Sequence, residues 1–249
     1  YSRAFCEQHL LPMAAAIWSG PVAAMLDFPA QSFIRFCDNH GLLQVRGRPA
    51  WRTVAGGSRE YVARLAAGLS GPVLLNSPVR RVRRGPDGVT VEAGRGGAQR
   101  FDHCVLGAHA DQSLAMLADP TPAERWVLTA FPYQRNTAIL HTDPALMPRR
   151  RGAWASWNYR SDRATDPDAP VSVTYWMNRL QPLDPRHPVF LSLNSPVEPA
   201  PETVLARFAY DHPLFDARAL AAQREIPAIQ GGERTWFCGS YCGFGFHED

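Results

Sequence analysis

The period of the apolar positions changes several times along the chain, and each change predicts an element. Over 5–18 and 29–40 apolar residues recur at helical spacing, as at Phe33, Ile34, Phe36 and Cys37, and Gly41 is placed as a C-terminal stop. Residues 42–45 and 51–54 read as short strand-like runs around a turn containing Gly47 and Pro49. Ser58 stands where an N-cap belongs, ahead of a helix over 59–68 whose Tyr61, Val62 and Leu65 share one face. Strand-like runs then take over at 73–75, 79–84 and 89–92, with a turn at Gly85-Pro86-Asp87-Gly88. After a second turn over 94–97, residues 101–106 read as one buried strand that closes a β-meander. This strand runs into Gly107-Ala108-His109 and a helix over 112–117, which Asp119-Pro120 ends.

Further on, β-rich runs at 136–141, 153–159, 171–177 and 189–194 predict an antiparallel sheet distinct from the meander. Beyond a proline-rich break over 196–201 the pattern predicts helices over 202–210 and 217–223, then a strand over 235–239 that ends in glycine. The fold class is therefore a mixed α/β (α+β) protein, with no internal repeat and no low-complexity tract.

Composition narrows the chemistry. The chain has 249 residues, 45% hydrophobic and 20% charged, with a mean hydropathy of −0.25. Such values exclude disordered, collagen-like and coiled-coil classes. Every basic residue is Arg, so a lysine Schiff base, a phosphate-binding P-loop lysine and a lysine general base are all excluded. A net charge of +3 with one basic triplet, Arg149-Arg150-Arg151, gives no nucleic-acid footprint. Five cysteines without a CxxC pair point to a reducing, cytoplasmic setting, and Cys238 and Cys242 lack the second ligand pair of a zinc site, so no metal is expected. The most apolar stretch, 9–26, is interrupted by Pro12 and Pro21 and reads as a buried or pocket-lining helix pair. His109 and His141 follow or sit on apolar runs and read as core histidines. The cluster Trp154, Trp157, Tyr159, Tyr175 and Trp176 reads as strand packing.

Two segments read together carry a resemblance. One runs from Pro78-Val79-Arg80-Arg81-Val82 through Asp87-Gly88 and Val89-Thr90-Val91 to Phe101-Asp102-His103-Cys104-Val105-Leu106-Gly107-Ala108; the other is Thr235-Trp236-Phe237-Cys238-Gly239-Ser240-Tyr241 with Gly243-Phe244-Gly245-Phe246-His247-Glu248-Asp249. Both resemble the dinucleotide-binding domain of the FAD-dependent amine-oxidase and phytoene-desaturase superfamily. Asn39-His40-Gly41-Leu42-Leu43, His109-Ala110-Asp111-Gln112, Ala153-Trp154-Ala155-Ser156-Trp157-Asn158-Tyr159 and Thr174-Tyr175-Trp176-Met177-Asn178 make the chain similar to its bacterial branch of NAD/FAD-binding oxidoreductases.

The resemblance implies a partial Rossmann-like domain interleaved with an antiparallel substrate domain. On that division residues 1–52 form a helical part of the substrate domain, 53–117 the middle of the FAD domain, 118–230 the substrate domain, and 231–249 the return to the FAD domain. The cofactor implied is FAD. Val79 would present its backbone to the adenine, while Gly239, Ser240, Gly245, His247 and Glu248 would lie along the ribityl chain and flavin. The implied reaction is hydride transfer from an apolar, lipid-like or amine small molecule, with peripheral membrane contact as a corollary; no catalytic residue is named. The family's GxGxxG is absent, which places it upstream of Tyr1 and makes the chain a fragment that holds FAD weakly alone. The missing lysine and Ser240, where the family carries an acidic residue, count against amine oxidation proper. A non-catalytic or degenerate flavoprotein-like module that binds a ligand or protein stays open as the alternative, as does a separate subunit that never had the nucleotide loop.

Overall fold

The computed structural model describes residues 2–44, 46–47, 50, 52–94, 97–160 and 171–246. Along the chain these form α1 (Arg3–Phe5), a π-helical turn (Cys6–Leu10), α2 (Leu11–Trp18), α3 (Ala30–Asn39) and α4 (Arg59–Ala67). Next come β1 (Val79–Gly85), β2 (Gly88–Ala93), β3 (Gly97–Phe101), β4 (Cys104–Leu106), α5 (Ala110–Met116) and α6 (Pro122–Leu128). Then follow β5 (Tyr133–His141), β6 (Trp157–Arg160), β7 (Ser172–Trp176), α7 (Met177–Leu180), β8 (Phe190–Leu193), β9 (Val204–Pro213), α8 (Ala217–Ile229) and β10 (Thr235–Phe237). The contacts divide them into two interleaved units, residues 1–69 with 134–212 and residues 70–133 with 213–249.

In the first unit, five strands form one sheet in the order β6-β7-β8-β5-β9. Register is fixed by pairs such as Thr174 with Ser192 and His141 with Phe190. Its interior carries Ala138, Ile139, Val173 and Phe190, all nearly or wholly buried. The helical segment has its own centre at Trp18, whose ring lies 4.4 Å from Phe28 and 5.0 Å from Phe36.

The second unit holds the meander β1-β2-β3 and a separate parallel pair, β4 with β10. Val82 and Val89, both fully buried, anchor the meander from within, and the Val82 carbonyl accepts from Ala118 N at 2.9 Å. One buried ion pair ties β1 to α6: the Arg84 guanidinium meets the Glu124 carboxylate at 2.5 and 3.0 Å. Glu124 also completes a capping box with Thr121 at the start of α6.

Several expectations need correction. The helix foreseen over 202–210 is strand β9 at the edge of the five-stranded sheet. Its Leu, Ala and Arg residues favour a helix, but Val204, Phe208 and Tyr210 suit a strand and the exposed β5 edge supplies backbone partners. The strand foreseen over 101–106 is only β4, from Cys104 in another sheet opposite Thr235, while the meander is closed by β3, which starts at Gly97 in the foreseen turn and ends at Phe101. Residues 73–75 pair with nothing and lie exposed. Leu42 to Gln44 form turn and coil, as do Arg52 to Val54, while Val45 and Trp51 lie outside the described residues. Ser58 precedes α4 without a side-chain capping bond.

Candidate functional site

In open α/β sheets ligands gather beyond the carboxyl ends of parallel strands, because the turns that leave those ends are free to approach them with backbone. Among the described residues β4 and β10 are the one parallel pair of strands, in the register Thr235 with Cys104, Trp236 with Val105 and Phe237 with Leu106. Beyond their carboxyl ends lie two turns, Gly107-Ala108-His109 and Cys238-Gly239-Ser240. Cys238 N donates to Leu106 O at 3.0 Å, which carries the pairing one residue past β10.

Gly239 has φ +148° and ψ 172°, a conformation that residues with a Cβ rarely adopt. A Cβ there would come within 3.1 Å of the Tyr241 ring and 3.5 Å of the Ala108 carbonyl oxygen. The two turns therefore touch at backbone distance, and the glycine is required by its own torsion as well as by proximity. Ser240, part-buried, opens a short 3-10 turn whose Cys242 N donates to Gly239 O at 2.9 Å. Gly245 is buried at φ +96°, where a Cβ would strike the Phe215 ring at 2.9 Å, so the packing of Phe215 accounts for this glycine. His247 and Glu248 lie outside the described residues.

Val79 stands in β1 opposite Ala93, beside a bulge at Arg80, and is 37% exposed. It belongs to the antiparallel sheet, whereas Gly239 follows the parallel pair. Around the two turns the structure adds residues that pattern reading missed. Tyr133 Oη accepts the Ala110 amide at 2.9 Å, and its ring stacks on His109 with centroids 4.4 Å apart and planes at 13°. Burial, ahead of the field of nearby acids, pushes the Tyr133 phenol up to about 12, so it stays protonated. Tyr241 is fully buried at 5.2 Å from Phe131, and burial likewise raises its phenol.

Two glutamines associated with α8 hold the second turn. Gln230 pairs both backbone groups of Phe237, accepting its N–H at 2.8 Å and donating to its carbonyl at 2.7 Å. These are the groups that point away from β4, so one side-chain amide covers that stretch of the strand edge. Gln223 donates to the carbonyls of Tyr241 and Gly243 at 3.0 and 2.5 Å. No spacing announces these contacts, which arise only when α8 is packed. Tyr133 lies three residues ahead of the run foreseen at 136–141 and heads β5 only in the structure, where the fold also sets its partner.

In the other unit, the five-stranded sheet buries a polar chain. His141 Nε2 lies 2.9 Å from Ser192 Oγ, which lies 2.8 Å from Thr174 Oγ1, and Asp143 N donates to His141 Nδ1 at 3.2 Å. Burial lowers the His141 pKa, against a smaller opposing pull from Asp143. With Nδ1 accepting, the proton resides on Nε2 and the imidazole is neutral. Trp154 packs edge-on against Trp176 at 5.2 Å and against Phe190 at 5.6 Å, with the Arg151 guanidinium 4.7 Å above its ring.

The sequence profile of the flavin-containing amine oxidoreductases matches residues 13–187, most of the chain, and the chain belongs to that family. Membership assigns FAD as the cofactor. Similar solved structures include cyclohexylamine oxidase from Brevibacterium oxydans IH-35A, at 13% identity and TM-score 0.63, covering 98% of this chain and 60% of that one. The CLA-producing fatty acid isomerase from P. acnes is similar at 16% identity and TM-score 0.55, covering 76% and 48%. An A394C mutant of putrescine oxidase gives 12% identity and TM-score 0.51, covering 75% and 48%. The chain thus spans about half to three-fifths of the length of these structures. No curated protein matches it by sequence.

The residues present fit part of a dinucleotide site. Backbone, unencumbered by a Cβ at Gly239, lines the carboxyl ends of two parallel strands, with Tyr133 and Tyr241 packed beside the two turns. Among the described residues no helix is long and apolar enough to cross a membrane.

Proposed function

We propose that this chain is the substrate-sheet and second nucleotide-binding portion of an FAD-dependent oxidoreductase that removes hydride from a C–H bond of a small, largely apolar molecule. The observation that carries the reading is Gly239, with its positive φ and its approach to Ala108 at the carboxyl ends of β4 and β10, in a chain of the flavin-containing family. FAD bound there supplies the hydride acceptor. The chain's own contribution is to seat it: the turns at Gly107 and Cys238 offer backbone, Gln223 and Gln230 fix the second turn, and Tyr133 fixes the first. Val79, Ser240, Gly245, His247 and Glu248 stay assigned to the cofactor as part of this reading.

The five-stranded sheet, with its Trp154, Trp176 and Phe190 cluster, supports the apolar character of the substrate wall. Lysine-assisted chemistry is closed to this chain, because it contains no lysine. Amine substrates and unsaturated lipid chains both remain within the proposal, since cyclohexylamine oxidase and a fatty acid isomerase are among the similar structures.

The test is the visible spectrum of the full-length protein, followed by anaerobic mixing with a panel of amines and of unsaturated fatty acids. A flavin band that bleaches with one class supports the reading and names the class. A colourless protein that takes up no FAD on titration sinks it and favours the ligand-binding module.

A further inference from the structure

His109 stands half-buried in the first of the two turns. It lies three residues beyond β4, in the turn that leaves the carboxyl end of the parallel pair, and the preceding carbonyl of Ala108 faces Gly239. Its ring is held flat against Tyr133, and Tyr133 in turn is tied to the next residue by accepting the Ala110 amide. Stacking plus this hydrogen bond fixes both the backbone and the ring plane of His109. Yet neither ring nitrogen has a hydrogen-bond partner among the described residues, and neither is sealed from solvent without one. The ring is half-buried, so its nitrogens are open to solvent and to a ligand, unlike those of the fully buried His141, which Ser192 and Asp143 satisfy.

We propose that His109 is a cofactor-binding residue, whose ring nitrogen donates to a phosphate or hydroxyl oxygen of the dinucleotide lying across the ends of β4 and β10, and that Tyr133 is the positioning residue that aims it. This rests on the flavin reading above. The chemistry suits the position: an imidazole can donate to an anionic oxygen, and its orientation is prepaid by the stack, so little conformational entropy is lost on binding. A phosphate oxygen would draw a charge-assisted bond and a ribose or ribityl hydroxyl a weaker neutral one.

The experiment titrates apo full-length protein with FAD by fluorescence, alongside melting of the apo form, for wild type, His109→Ala, His109→Gln and Tyr133→Phe. His109→Ala is expected to weaken FAD binding about 10-fold while apo melting stays within about 2 °C of wild type. His109→Gln, which keeps a donor, recovers most of the loss. Tyr133→Phe keeps the stack and deletes the acceptor for Ala110 N–H, so it weakens FAD about 3-fold. Wild-type affinity in His109→Ala overturns the assignment, as does a loss shared equally by Ala and Gln together with lowered apo melting, because that pattern is packing. If wild type itself binds no FAD, the flavin reading falls first and this assignment with it, an outcome distinct from normal binding by both wild type and His109→Ala.

Discussion

The polar chain inside the five-stranded sheet and the turns beyond the β4–β10 pair treat their polar groups differently. In the sheet, His141, Ser192, Thr174 and Asn158 are all buried, and each finds partners within neighbouring strands and turns. Beyond the parallel pair, His109 keeps its ring nitrogens unspent and Gly239 holds a backbone conformation that costs the fold its choice of residue. A buried polar group must be satisfied internally or it destabilises the fold, so a closed network marks scaffold. A glycine held at positive φ beside a stacked, solvent-reachable imidazole marks backbone and side chain arranged under a different constraint.

The contrast can be sharpened first where the second unit is itself closed. Arg84 is 1% exposed and answers to Glu124 in a two-pronged pair, with Asp119 alongside. Glu124→Ala leaves the buried guanidinium with only Asp119 and deletes the capping box, so a loss of about 3 kcal/mol is expected by chemical denaturation. Should the loss fall below about 1 kcal/mol, the pair behaves as a surface bridge and the unit is less closed than its geometry indicates.

Next in size is Gly239→Val. Steric approach to a cofactor alone would spare folding, but the torsion and the Tyr241 contact mean that apo stability should drop by about 1–3 kcal/mol as FAD binding weakens. Both readouts must move. Unchanged apo melting would show that the turn relaxes, and unchanged FAD affinity would remove this glycine from the cofactor site.

The smallest effect tests the sheet. The folded-state pKa of His141 lies below its ordinary value, so its contribution to stability is fully present above about pH 6.5 and is lost as pH falls through the depressed folded value. Protonation would put a hydrogen on Nδ1, where Asp143 N already donates. His141→Gln should cost about 1 kcal/mol near neutrality and flatten the melting profile between pH 7.5 and 5 (both about) relative to wild type. Asp143 titrates lower still: the backbone amides of Ala200 and Ala145 hold its carboxylate below the usual range, so its stabilisation is present above about pH 4 and goes only in stronger acid. Parallel profiles for wild type and variant would show that His141 does not carry the acid sensitivity.

Periodicity alone determined a large part of the architecture. The hairpin of β1 and β2 with its Asp87-Gly88 turn, the runs that became β5, β7 and β8, helix α3, and strand β10 are local patterns whose turns and alternation need no distant partner. Helix α6, which the sequence reading did not foresee, opens on a capping box of Thr121 and Glu124. Tertiary structure alone decided the rest. Strand β9 exists because the β5 edge offers hydrogen bonds that outweigh its helical residues, and residues 101–106 split because two sheets compete for one run. The meeting of Gly107-Ala108-His109 with Cys238-Gly239-Ser240 joins positions more than a hundred residues apart. Parallel strands are joined by crossovers whose length the local sequence does not set, so that neighbourhood, and with it the distinction between a core histidine and one left free, follows only from the packed fold.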